Sequence, residues 1–124
     1  MPKVLVIDDD TEVRGLICTM LRRGGGYDVV EATDGPSGLS AFAADDFVAV
    51  VTDLIMPGQT GIDTIKKLRA LDPRMPIIAV SGFGWDESSE LVREAMRAGA
   101  NHLLGKPFRP DDLMSAITGL LRAQ

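Results

Sequence analysis

Residues 4–10 read Val4-Leu5-Val6-Ile7-Asp8-Asp9-Asp10, four apolar residues followed at once by three carboxylates. The apolar part is rich in branched side chains and lacks polar alternation, as in a strand buried on both faces of a parallel sheet. Similar short runs recur at residues 29–30, 48–51, 77–80 and 103–104. Between them the apolar spacing becomes helical. Val13, Leu16, Ile17, Met20 and Leu21 mark a first helix, and Leu39, Phe42 and Ala43 a second. Ile62, Ile65 and Leu68 mark a third, and Leu91, Ala95, Met96 and Ala98 a fourth. Leu113, Ile117, Leu120 and Leu121 mark a fifth. Asp86 suits the N-cap of the fourth helix, Gly99 its stop, and Pro110 the first turn of the last. Gly24-Gly25-Gly26 reads as a flexible turn after the first helix. Strand followed by helix, repeated throughout, predicts an α/β fold: a five-stranded parallel sheet with helices on both faces and right-handed crossovers.

The chain has 124 residues, of which 45% are hydrophobic, enough for one compact domain with its own core. The expectation is a single domain over residues 1–124 with no output domain in this chain. The one cysteine, Cys18, has no partner for an internal disulfide and reads as a core or near-core helix residue in a reducing, cytoplasmic setting. No apolar run approaches the ~20 residues of a membrane helix. A net charge of -5 speaks against direct nucleic-acid binding and fits a protein that meets cations or other proteins.

Folds of this class place their sites beyond the carboxyl ends of the strands. Those ends carry Asp8-Asp9-Asp10, Thr52-Asp53, Ser81-Gly82 and Lys106-Pro107, so carboxylates, a hydroxyl and an ammonium converge on one rim. Taken singly, Asp9 or Asp10 also suits a helix cap, and Ser81-Gly82 a turn. Together they form a chemical inventory. Asp8, Asp9 and Asp53 in one cleft repel each other, and a divalent cation offsets the repulsion. All-oxygen ligands suit Mg²⁺. A carboxylate at Asp53 can attack phosphorus to form an acyl phosphate. Lys106 and Ser81 can then neutralise or hydrogen-bond the phosphoryl oxygens.

On these residues the chain resembles the receiver domain of two-component response regulators. The matching segments are residues 4–10, Val50-Val51-Thr52-Asp53-Leu54-Ile55-Met56-Pro57-Gly58, Pro76-Ile77-Ile78-Ala79-Val80-Ser81-Gly82 and residues 99–108. The resemblance implies a doubly wound, flavodoxin-like sheet of order 2-1-3-4-5. It implies Asp53 as phosphoacceptor, and Asp8, Asp9, Asp53 and the backbone carbonyl of Ile55 as Mg²⁺ ligands. It implies Ser81 as the switch hydroxyl, Lys106 as a phosphoryl ligand and a cis Lys106–Pro107 bond. The phosphoryl donor would be a phosphohistidine of a sensor histidine kinase or a histidine phosphotransfer protein. The readout would be a changed interaction with a downstream protein, as a monomer or a phosphorylation-dependent homodimer. Such a protein catalyses only its own phosphorylation and dephosphorylation. His102, on or beside the fifth strand, is expected to be exposed and is not the donor.

Two features depart from the family pattern. Leu103 stands where receivers commonly carry Tyr or Phe, so the switch must repack without that ring. Gly82-Phe83-Gly84-Trp85-Asp86 is longer than the usual connection to the fourth helix, and its aromatics either pack down or dock a partner. Ile55 and Phe83 are apolar at positions that orient an attacking water, which predicts slow loss of the acyl phosphate. An alternative, a Mg²⁺-dependent phosphohydrolase, normally has a second Asp two residues after its nucleophile; here that residue is Ile55. A degenerate interaction module would not need the acid, hydroxyl and lysine set. A flavin site would meet repulsion from Asp8-Asp9-Asp10.

Overall fold

The computed structural model describes residues 2–56, 59–82 and 90–123. Five parallel strands, β1 (Lys3–Ile7), β2 (Asp28–Ala32), β3 (Ala49–Asp53), β4 (Ile77–Ser81) and β5 (His102–Gly105), form one sheet in the order β2-β1-β3-β4-β5. Five helices alternate with them: α1 (Thr11–Gly25), α2 (Gly35–Ala44), α3 (Gly61–Leu71), α4 (Glu90–Ala98) and α5 (Pro110–Arg122). A short antiparallel pair, Ile55–Met56 with Gln59–Thr60, sits between β3 and α3.

The two-residue alternation of a strand sorts its side chains between two cores. Leu5, Ile7, Val50, Ile77 and Ala79 face Leu54, Ile62, Ile65, Leu68 and Ala95 on one side. Val4, Val6, Ala49, Val51, Ile78 and Val80 face Ile17, Cys18, Leu21, Leu113 and Ile117 on the other. Helices α2, α3 and α4 therefore cover one face, and α1 and α5 the other. Both faces are buried, so the central strands show no polar alternation. The edge strands β2 and β5 are buried less completely than their apolar runs suggest, because one flank of each has no neighbouring strand.

Several boundaries differ from those read off the sequence. Helix α1 continues through Gly24 and Gly25, and only Gly26 leaves it, at φ 66°, where its N–H bonds back to the Arg22 carbonyl. The glycines are used for space. A Cβ at Gly25 would strike the Tyr27 ring, and one at Gly24 would press on Met114. Leu16 and Met96 are exposed although both fall within their helical stripes, and Ala43 gives its inward place to Ala41. Gly99 ends α4 at φ 125°, and Pro110 opens α5, as expected. Asp86, Phe83, Trp85 and Gly58 lie outside the described residues. Among the described residues no helix is long and apolar enough to cross a membrane.

Cys18 is 1% exposed on the inner face of α1, and burial pushes its thiol up to about 11 from an ordinary 9.0. At pH 8 that leaves roughly a hundredth of the usual thiolate, the reactive form. Alkylation by iodoacetamide at pH 8, followed by mass spectrometry, should be at least that much slower in the folded protein than in urea. Equal rates would contradict the buried placement.

Candidate functional site

Parallel pairing aligns the strand ends. Ile7 pairs with Thr52, Asp53 with Val80, and Ser81 with Gly105. Asp8 follows Ile7 directly and Lys106 follows Gly105, so the chain delivers Asp8, Asp53, Ser81 and Lys106 to one edge of the sheet. Asp8 is 1%, Ser81 3% and Asp53 6% exposed, while Asp9 stands open to solvent. One carboxylate oxygen from each of Asp8, Asp9 and Asp53 lies within 4.8 Å of the others. Asp10 is not in the cluster. It caps α1, its carboxylate accepting from the Glu12 and Val13 amides, which resolves the Asp9-or-Asp10 alternative.

Lys106 reaches back into the cluster. Its Nζ lies 3.4 Å from Asp8 Oδ2 and 3.3 Å from Asp53 Oδ2, and its backbone N–H donates to the Ser81 carbonyl at 2.7 Å. The last bond continues the ladder past the end of β5 and so sets where the ammonium starts. The Lys106–Pro107 bond is cis. Asp53 Oδ1 accepts from the Ile55 amide at 3.2 Å. Burial pushes the Asp53 carboxyl above its ordinary value; the Lys106 charge opposes the rise and the neighbouring Asp8 adds to it. A buried carboxylate in a like-charged pair favours a cation.

The donor set suits a hard cation with oxygen ligands: three carboxylates, two of them buried, with no thiolate or imidazole among them. Ile55, whose carbonyl the resemblance offers as a further ligand, has an exposed side chain beside this rim. Leu103 is half-buried in the core under α3 and α4 and pairs with Ala79, which shares a sheet face with Ser81. His102 is exposed on β5.

Sequence reasoning missed two supports. Thr52 is fully buried and its hydroxyl donates to the Asp53 carbonyl at 3.2 Å. Arg14 donates from Nη1 to the Asp8 carbonyl at 2.8 Å and from Nε to Glu31 at 3.0 Å. The signal for Arg14 was present: it shares the inward spacing of Ile17, Cys18 and Leu21, where an apolar residue is expected. Beside Lys106, an open apolar groove of about 300 Å³ runs between α1 and the turn into α5, lined by Val13, Leu16, Ile17, Met20, Pro107 and Phe108. Leu16 is exposed because it forms the outer wall of this groove.

The chain matches the family described as response regulator receiver domain over residues 4–118. It is 35% identical over 115 residues to the chemotaxis protein CheY of Pseudomonas aeruginosa, covering 93% of this chain and 92% of that one. It is 37% identical over 123 residues to the response regulator MprA of Mycolicibacterium vanbaalenii, covering 97% of this chain but 50% of MprA. A crystal structure of a CheY-like receiver domain protein from Methanospirillum hungatei superposes with a TM-score of 0.90 at 28% identity, covering 99% of this chain and 95% of that one.

Proposed function

Since the chain belongs to the response regulator receiver family, we propose that it is a cytoplasmic phosphoacceptor switch in which Asp53 takes a phosphoryl group from a phosphohistidine of a sensor histidine kinase or phosphotransfer protein. The observation that carries this reading is the buried Asp53 carboxylate, grouped with Asp8 and Asp9 and within reach of the Lys106 ammonium. An Asp53 oxygen attacks phosphorus. The P–N bond to the imidazole breaks, its electron pair leaves with nitrogen, and because the other ring nitrogen carries a proton the imidazole departs neutral. Asp8, Asp9, Asp53 and the Ile55 carbonyl would hold Mg²⁺, which supplies charge neutralisation at the phosphoryl oxygens. Lys106 binds a phosphoryl oxygen, and the Ser81 hydroxyl hydrogen-bonds another.

The acquired group carries about -1.5 to -2 charges and three acceptor oxygens. It biases two conformations only through its differential contacts, typically on the order of 1–3 kcal/mol. Ser81 is buried at the end of β4 and Leu103 packs one pairing step away on the same face, so a movement of Ser81 repacks Leu103. That repacking alters the surface offered to a downstream protein or to a second copy of the chain. Apart from its own phosphorylation and dephosphorylation, the domain catalyses nothing.

Acetyl phosphate with Mg²⁺, read by intact-mass spectrometry, tests the proposal. The expected result is a gain of one phosphoryl group per chain, removed by hydroxylamine and absent when the metal is chelated. No gain, or sustained turnover of small phosphate esters, would overturn it; the latter would favour a phosphohydrolase.

A further inference from the structure

We propose that Arg14, oriented by Glu31, is a positioning residue that sets the Asp8–Asp9 peptide for cation binding; the inference rests on the metal-binding reading given above. The Arg14 side chain is only 13% exposed, an unusual place for a guanidinium unless it is paired. Two of its nitrogens are committed in different directions. Nε meets Glu31 Oε1 at 3.0 Å, on β2, and Nη1 donates to the Asp8 carbonyl at 2.8 Å. The planar group cannot serve one partner without fixing its angle to the other.

The Asp8 carbonyl belongs to the peptide that joins two carboxylates of the cluster. Asp8 itself is held at every polar atom. Its N–H donates to the Ala32 carbonyl, Oδ1 accepts from the Asp10 amide, Oδ2 meets Lys106, and the carbonyl accepts from Arg14. Asp9 differs. It is exposed, and among the described residues no hydrogen bond holds its carboxylate. The direction in which Asp9 leaves the chain is therefore set by the peptide plane before it, and Arg14 clamps that plane. Glu31 balances the guanidinium charge, so the clamp adds little repulsion toward a cation. Partners that orient metal ligands from behind typically change affinity 10–100-fold when removed.

The test is calorimetric titration of Mg²⁺ into the folded protein in 1 M salt, where the Debye length is about 3 Å and exposed charges are screened. Arg14→Met should weaken Mg²⁺ binding about ten-fold or more. Glu31→Gln, which leaves Arg14 in place but frees its angle, should give a smaller loss in the same direction. Circular dichroism establishes that each variant is folded. A folded Arg14→Met protein that binds Mg²⁺ as tightly as the wild type, or more tightly, overturns the proposal: Arg14 would then be a scaffold or a repelling charge. Should Arg14→Met fail to fold, Glu31→Gln decides, and unchanged affinity there overturns it. A wild type that binds no Mg²⁺ would instead remove the metal reading itself, and this inference with it.

Discussion

Asp53→Asn is expected to abolish phosphoryl uptake and to make the protein more stable, by on the order of 1 kcal/mol at neutral pH without Mg²⁺. The first effect is chemical. An amide of the same shape has no anionic oxygen to attack phosphorus. The second comes from where the carboxylate sits. Asp53 is 6% exposed beside Asp8, and its burial, partly opposed by Lys106, raises its carboxyl above the ordinary 3.8. A raised folded value means that folding favours the protonated form. That contribution is fully present below the ordinary value and is lost as pH rises through the raised one. At neutral pH the ionised Asp53 is therefore a cost, and asparagine removes it. Lys106 keeps Asp8 as a partner, so the substitution does not strand the ammonium.

Urea unfolding checks the claim. The variant should have the higher midpoint at pH 7. Its advantage should shrink as pH falls from the raised Asp53 value toward the ordinary one. Saturating Mg²⁺ should narrow the gap as well, because a ligand that binds only the folded wild type stabilises it by mass action. A variant equal to or weaker than the wild type at pH 7 without metal would show that the Lys106 pairing outweighs desolvation at this site.

Gly61→Ala should cost about 3 kcal/mol of stability, the upper range for overpacking. Gly61 opens α3, and its N–H donates to the Leu54 carbonyl at 2.9 Å. A Cβ there would collide with the Asp53 carbonyl oxygen and stand 2.7 Å from Leu54 Cα. Both are backbone atoms at the end of the buried strand β3, so neither can yield as a flexible side chain would. The displaced segment carries Asp53, and phosphoryl uptake should fall with stability. Gly15→Ala is the matched control. Nothing lies within 4 Å of its added Cβ inside α1, so helix propensity should decide and the change should stabilise by about 0.5–1 kcal/mol. Denaturant midpoints with unchanged m-values would report both. A Gly61→Ala protein as stable as the wild type would mean that the α3 start can move away from β3.

The apolar runs and helical spacings placed every element of the sheet and its five helices. They worked because β1, β3 and β4 are buried on both faces, which suppresses polar residues over their whole length. The same signal was weaker wherever burial was partial. Leu16 and Met96 fit their helical stripes yet face outward, since periodicity gives an arc of the helix and not the neighbour that covers it. The glycine run at 24–26 looked like a turn because glycine's usual role is conformational; at Gly24 and Gly25 its role is to leave room for Met114 and Tyr27. Arg14 was legible only as a charge in an apolar position.

For the site, the sequence by itself determined that Asp8, Asp53, Ser81 and Lys106 lie at or just beyond the carboxyl ends of strands, because an apolar run stops where the chain leaves the core. The tertiary structure decided their mutual geometry. Lys106 meets Asp8 across 98 residues of sequence only because parallel registers stack β1, β3, β4 and β5 with their carboxyl ends level. Hydropathy is a one-dimensional record of burial, whereas a contact of 3.3 Å between Lys106 and Asp53 depends on register and on a side chain's path, which no local pattern encodes.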